Sequence, residues 1–300
     1  MFTRKITTLS FEGNTIRCLT AQGDQVLKWN TLMLPEDKMS QGVVHDPDLV
    51  SQHLKQLLQE TQAPKRRVIT AATDQRSVHR MMTIPTVDDR FLEETIRRKA
   101  KQELALPIDE VDISWKVVRR SEQQLNIYLL AIPKQVIDRQ MQTLQQAGVK
   151  PRVMDAKPLA LIQAANQSTA LIINLESYSM AVIIVVRGIP VIVRTVPLES
   201  GELTREAKLD LLSQELARTT KFYNESNKQN RLSARTPLFT TGALFDSLQL
   251  EDRVSPGTSL IERLRGTTPY RITQLEPPLE IPPRLSRAEY AVNLGLALKT

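Results

Sequence analysis

The sequence contains one cysteine, three histidines, ten glycines and only 4% aromatic residues. Each scarcity excludes something. A lone Cys18 permits no internal disulfide, and its place in the apolar run Ile16–Leu19 marks it as a buried core thiol suited to a reducing compartment. His45, His53 and His79 form no metal-ligand spacing with the cysteine or with one another, so no zinc site is expected. Aromatics are too sparse for the stacking platform of a single-strand nucleic-acid binder. The net charge of +7 is spread along helices and loops; a basic balance can attract nucleic acid or an anionic membrane leaflet, and of these two weak attraction to the membrane surface is the better match. No stretch approaches the ~20 apolar residues of a membrane helix. The longest run, Met180–Val186, is strand-sized, and the opening MFTRKITTLSFEG lacks a signal-peptide core. The expectation is a cytoplasmic protein without a span of its own. Gly-x-Ser-x-Gly, Walker-type and dinucleotide motifs are missing as well.

What is present is a repeated plan. In Thr169–Pro197, Ala170–Leu175, Tyr178–Val186 and Ile189–Val196 read as three strands of a meander, with Arg187-Gly188 as a tight turn. Lys5–Leu34 has the same design: a strand ending at Phe11, a Glu12-Gly13-Asn14 turn, a strand through Ile16–Leu19, a Gly23-Asp24 turn and a strand over Val26–Leu34. Superposed, Ser10-Phe11-Glu12 matches Asn174-Leu175-Glu176. Two meanders, each opening one half of a 300-residue chain, indicate a duplicated, two-lobed protein.

Between and after the meanders, helix and strand alternate. Asp46 caps a helix that begins at Pro47 and carries Val50, Leu54, Leu57 and Leu58 on one face. Arg67–Thr73 and Arg76–Ile84 read as strands, Arg90–Leu104 as a helix, Val111–Val118 and Asn126–Ile132 as a hairpin, and Pro133–Ala147 as a helix closed by Gly148. A short strand, Val149–Met154, and a short helix, Lys157–Asn166, lead into the second meander. Glu202–Tyr223 is a long helix, Pro237–Thr241 a strand, Tyr270–Ile272 strand-like and Glu276–Pro283 a proline-rich linker. Ser286 to Glu289 has capping-box spacing before a last helix. The paired carboxylates Asp88-Asp89 and Glu93-Glu94 sit at a helix start, where acids complement the dipole rather than perform acid–base chemistry. This mixed order is that of an α/β protein.

Several phrases resemble the PilM family of pilus-assembly proteins, actin-like relatives of FtsA. They are Val87-Asp88-Asp89 through Leu104-Ala105-Leu106-Pro107 to Val111, Ala131-Ile132-Pro133-Lys134 through Ala147-Gly148-Val149-Lys150-Pro151, Met154-Asp155 with Lys157-Pro158-Leu159-Ala160, and the ending Tyr290–Leu298. The resemblance implies an actin-like (ribonuclease H-like) fold: subdomain 1A over 1–75 and 154–168, an inserted 1C over 76–153, and 2A over 169–300 with 2B reduced to about 199–235. It also implies ATP and magnesium between the lobes, on two loops similar to Asp-hydrophobic-Gly-Ser-Ser. Here those loops read Ser10-Phe11-Glu12-Gly13-Asn14-Thr15 and Asn174-Leu175-Glu176-Ser177-Tyr178-Ser179, and the adenosine-side element survives as Thr240-Thr241-Gly242-Ala243. The aspartate is missing from both loops, and glutamate stands at both glycine positions. A carboxylate a few ångströms from a triphosphate costs on the order of kcal/mol even at an effective dielectric of ~20. A bland reading makes Glu12 and Glu176 exposed turn residues. The expectation is a non-catalytic scaffold without cofactor or metal, at the inner face of the plasma membrane. Its expected partner, carried over from the family, is the tail of a PilN-like single-span membrane protein held between 1A and 1C. Within Arg76–Pro107, Arg76, Arg97, Arg98 and Lys101 are the candidate contacts; the competing reading of the helix cluster is a solvated face paired with Glu93, Glu94 and Glu103. The alternatives are an ATP-binding switch, in which Glu12 or Glu176 holds a metal, and a filament former.

Overall fold

The computed structural model describes residues 4–73, 76–104, 107–198, 204–245 and 260–299. In chain order the first meander is β1 (Lys5–Glu12), β2 (Thr15–Gln22) and β3 (Gln25–Met33). A small hairpin, β4 (Met39–Ser40) and β5 (Val43–Val44), precedes α1 (Pro47–Glu60) and β6 (Val68–Ala72). Then come β7 (Val78–Pro85), α2 (Asp89–Glu103), β8 (Val111–Arg120), β9 (Gln124–Pro133), α3 (Lys134–Gln146), β10 (Pro151–Ala156) and α4 (Lys157–Ala165). The second half holds β11 (Thr169–Leu175), β12 (Ser179–Val186), β13 (Ile189–Pro197), α5 (Arg205–Ser226), β14 (Pro237–Thr241), α6 (Leu260–Thr267), β15 (Arg271–Thr273) and α7 (Ala291–Ala297). No helix among the described residues is long and apolar enough to cross a membrane.

The duplication is explicit in the sheets. One runs β10-β6-β1-β2-β3 and the other β15-β14-β11-β12-β13, the same order twice. Leu9 lies opposite Thr70 across the β1–β6 parallel pair, and Ile173 opposite Thr240 across β11–β14. That shared register puts Ser10 and Asn174 at equivalent positions, as the sequence superposition does. Local chemistry sets the ends. Asp46 accepts a hydrogen bond from the Leu49 amide at 3.0 Å, the cap expected of its position. Ser286 Oγ accepts from the Glu289 amide at 2.9 Å, so half of the capping box forms, but residues 287–290 are turns and the regular helix starts only at Ala291.

Two domain boundaries differ from expectation. The inserted unit is the antiparallel sheet β7-β9-β8 with α2, and its own core joins Met82, Ile84, Ile96, Ala100, Leu125 and Ile127. It does not extend to residue 153. Met141, Leu144, Ala147 and Val149 pack instead with Leu54 and Leu58 of α1, and β10 is an edge strand of the first sheet. Likewise the chain after β15 does not stay with the second lobe: Leu285, Tyr290, Leu294 and Ala297 bury against Leu19, Ala21 and Val26 of the first sheet. Helices α4 and α7 form a layer between the sheets, with Ile69 and Ala71 on one side and Ile172 and Ile183 on the other. They touch so closely that a Cβ on Gly295 would lie 1.8 Å from the Ala160 carbonyl oxygen. Between β13 and β14, α5 is the one regular element among the described residues. Residues 199–203, where the sequence places the start of the long helix, and the step at Ala105-Leu106 lie outside the described residues.

Candidate functional site

The turns that end β1 and β11 face each other across the inter-lobe cleft, and both carry a glutamate. Neither is an exposed turn residue: Glu12 is 6% and Glu176 3% accessible. A buried carboxylate must be paired, because desolvation otherwise costs several kcal/mol. Each is. Lys157, the first residue of α4, places Nζ 2.7 Å from Glu12 Oε2, with the lysine itself 1% exposed. Arg17 of β2 reaches across to Glu176 with two hydrogen bonds, Nη1 to Oε1 at 3.2 Å and Nη2 to Oε2 at 2.9 Å. Burial pulls the Arg17 pKa down, but the charge and hydrogen bonds of Glu176, with Glu12 and Glu289 nearby, more than offset it, so the net shift is upward. The guanidinium stays charged.

Around these pairs the cleft is filled with protein. Arg17 Nε donates to Glu289 Oε1 at 3.3 Å. Ser10 Oγ donates to Asn293 Oδ1 at 2.8 Å, and Asn293 Nδ2 donates to the carbonyls of Thr8 at 3.1 Å and Arg17 at 3.0 Å. The ring of Tyr178, from the second meander, lies against Gly13 of the first, where an added Cβ would come within 2.6 Å of it. Its hydroxyl donates to Glu36, again across the lobes, and that bond raises the phenol pKa. At the end of β14 Thr241 Oγ1 donates to Asn174 Oδ1 at 2.9 Å. Gly242 adopts φ +102 with its α-carbon so close to Leu175 that a Cβ would lie 2.2 Å from that carbonyl oxygen. The Ala243 amide, beyond it, points at Glu176 Oε2 at 3.4 Å.

Of the expected loop residues, the fold thus brings Ser10, Glu12, Gly13, Asn174, Glu176, Thr241 and Gly242 to one cleft. Thr15 caps its own turn by donating to the Glu12 carbonyl at 2.9 Å, and Ser177 is exposed. The four expected cations of the partner surface are not brought together. Arg76 lines an open groove of about 960 Å³ between the inserted unit and the first lobe, with Val78, Asp109, Glu110, Lys134 and Arg139 among its other walls. Arg97, Arg98 and Lys101 lie on the exposed side of α2, do not line that groove, and Arg97 is tied to Glu93 at 2.9 Å. Three partners in the cleft, Arg17, Lys157 and Asn293, escape a motif search. Their signal is a single polar residue inside an apolar, buried run: Ile16–Leu19, Lys157–Ile162 and Ala291–Ala297.

A family described as type IV pilus assembly protein PilM matches residues 19–196. No curated protein matches by sequence. Among solved structures, one titled PilM-PilN type IV pilus biogenesis complex superposes with a TM-score of 0.78 at 20% identity over 98% of both chains. The ethanolamine utilization protein EutJ from Carboxydothermus hydrogenoformans gives 0.55 at 10% identity, covering 99% of this chain and 90% of its own. The cytoplasmic domain of EpsL, an inner membrane component of the type II secretion system of Vibrio cholerae, gives 0.51 at 12% over 86% of this chain and 98% of its own. At such identities the likeness speaks for the fold alone, and that fold is the actin-like one with two homologous lobes.

Proposed function

Because the chain belongs to the PilM family of type IV pilus assembly proteins, we propose that it is an actin-like scaffold of the pilus machine that works without nucleotide turnover. It sits at the cytoplasmic face of the inner membrane and holds the N-terminal tail of a PilN-like single-span membrane protein. The solved relative at a TM-score of 0.78 is a complex of PilM with PilN, which supports this choice of partner.

The observation that carries the non-catalytic reading is the pair of buried ion pairs. The residues at the two loops do not fit a triphosphate. A phosphate loop needs glycine amides free to approach oxygen and a site open to anions. Here Glu12 and Glu176 supply carboxylate oxygens at both loops, Lys157 and Arg17 already neutralise them, and the Tyr178 ring covers Gly13. Neither ATP nor magnesium is therefore part of the proposal. The groove beside Arg76 is the surface where the proposal seats the tail.

Two titrations test this. Calorimetry with a peptide of the partner's cytoplasmic tail is expected to give binding that Arg139→Glu, at the groove wall, weakens at least tenfold; no heat at high micromolar peptide counts against the scaffold reading. Thermal unfolding with millimolar Mg-ATP is expected to leave the midpoint unchanged. A second reading, a nucleotide-gated switch, draws on the buried Asn174 amide nitrogen, which has no hydrogen-bond partner among the described residues. That reading requires a magnesium-dependent rise, about 2.7 kcal/mol at a hundredfold excess over Kd.

A further inference from the structure

Opposite the cleft, at the other end of the first lobe, the fold gathers cations that are far apart in the chain. Strands β1, β6 and β10 are parallel neighbours, so their starts lie at one end. Arg4 precedes β1, Arg67 precedes β6 and Arg152 is the second residue of β10. With Lys299, beyond α7, they line a pocket of about 220 Å³ whose walls include Ile6, Ile69 and Ala297. Lys299 is held by Asp155 at 2.7 Å, and Asp24 stands exposed beside Gly23 on the rim. Arg4, Arg67 and Arg152 form no ion pair among the described residues. Lys5, Arg66 and Lys150, exposed next to them in the chain, extend the same charged end.

Three unpaired guanidinium groups around an apolar floor suit one chemistry: an anionic oxygen cluster attached to hydrocarbon. Guanidinium forks match phosphate oxygens, and isoleucine and alanine walls match the first carbons of a glycerol backbone or acyl chain. We infer that this pocket binds the phosphate headgroup of an anionic phospholipid and holds the basic end of the first lobe against the membrane surface. A nucleic acid is the poorer match, since no aromatic side chain among the described residues lines the pocket to stack a base. The inference goes beyond the tail-binding reading: the pocket lies at the starts of the strands, whereas Arg76 of the tail groove follows the end of β6.

The test is co-sedimentation of the full chain with vesicles of phosphatidylcholine alone or with 30 mol% phosphatidylglycerol, at low and physiological salt. Binding is expected with the anionic vesicles only, weaker as salt rises. Each cation near a membrane surface contributes about fivefold, so Arg4→Gln/Arg67→Gln/Arg152→Gln together is expected to weaken binding on the order of a hundredfold. The control Arg218→Gln/Lys221→Gln/Lys228→Gln removes the same charge from exposed positions on and after α5 and is expected to change binding less than tenfold. Circular dichroism melts establish that both triple variants are folded. Absence of binding to anionic vesicles overturns the inference, as does equal loss in both triple variants, which would mean diffuse attraction. Saturable binding of free glycerol phosphate with no vesicle binding overturns the membrane source, and tighter binding of a single-stranded oligonucleotide than of vesicles overturns the class of ligand. Calorimetric binding of the partner tail is expected to be unchanged in the pocket variant, so this failure and failure of the scaffold reading are separable.

Discussion

The Arg17–Glu176 pair links the two lobes, and its energetics follow from its burial. Both side chains are almost inaccessible, at 3% and 4%. A surface pair is worth about 0–1 kcal/mol, whereas removing one partner of a buried pair costs about 3–5 kcal/mol because the survivor is left charged and desolvated. The two single variants are not equivalent. Arg17→Met leaves the Glu176 carboxylate with the Ala243 amide, 3.4 Å away, as its remaining contact among the described residues. Glu176→Gln leaves Arg17 with Glu289 at 3.3 Å and a neutral acceptor in place of the lost charge. Arg17→Met is therefore expected to cost the full ~3–5 kcal/mol, and Glu176→Gln about 1–3 kcal/mol. At roughly 2–4 °C per kcal/mol, the first lowers the melting temperature by about 6–20 °C. The double variant Arg17→Met/Glu176→Gln removes both charges and is expected to be more stable than Arg17→Met alone. Urea unfolding of the four proteins closes the cycle. If Arg17→Met costs less than about 1 kcal/mol, or if the two changes add, the pair behaves like a solvated one and the account of a locked cleft is wrong.

Three further outcomes follow from single sites. Burial raises the Cys18 pKa to about 11, so the thiol stays protonated near neutrality; reaction with iodoacetamide at pH 8 is expected only after unfolding, and labelling of the native protein within minutes would contradict that burial. Gly295→Ala is expected to destabilise by ~3 kcal/mol or more, because its Cβ meets main-chain oxygen at 1.8 Å rather than a side chain able to move; a melt within 2 °C of the parent would refute the tight α4–α7 contact. The Asp46 pKa is lowered by the Leu49 amide and then by Lys38, so the cap contributes above the ordinary carboxylate pKa and is lost as pH falls through the folded value. Asp46→Ala is accordingly expected to melt below the parent at pH 7, with the difference shrinking below pH 4; a gap independent of pH would mean that the charge plays no part.

Much of the fold could be read from residues. Branched runs and Gly turns locate both meanders, and Asp46-Pro47 locates α1, because those features act through local backbone geometry. The boundary errors have a common cause. Leu144 and Ala147 fall on a regular amphipathic stripe, and a stripe states that a face is buried but not against which partner. The same holds for α7, whose apolar run Ala291–Ala297 serves both lobes. At the site, position was legible and environment was not. Matching Glu12 to Glu176 found the two equivalent turns, but their neutralising partners come from 145 and 159 residues away in sequence, a distance that no local pattern spans.

The charges in the cleft also bear on why the lobes stay together. A two-lobed fold can be held closed either by a ligand that touches both lobes or by links within the chain itself. Here the links are internal: Arg17 to Glu176 and Tyr178 to Glu36 cross the gap directly, while Lys157, at the head of the inter-lobe helix α4, anchors Glu12. Internal links have no concentration dependence, whereas a bound ligand stabilises only in proportion to the logarithm of its occupancy ratio. They are also paired with an apolar layer, Ile69, Ala71, Ile172 and Ile183 around α4 and α7, whose burial does not vary with ligand. A closed state held by packing and desolvated charge pairs is the fixed surface that the proposed scaffold role requires.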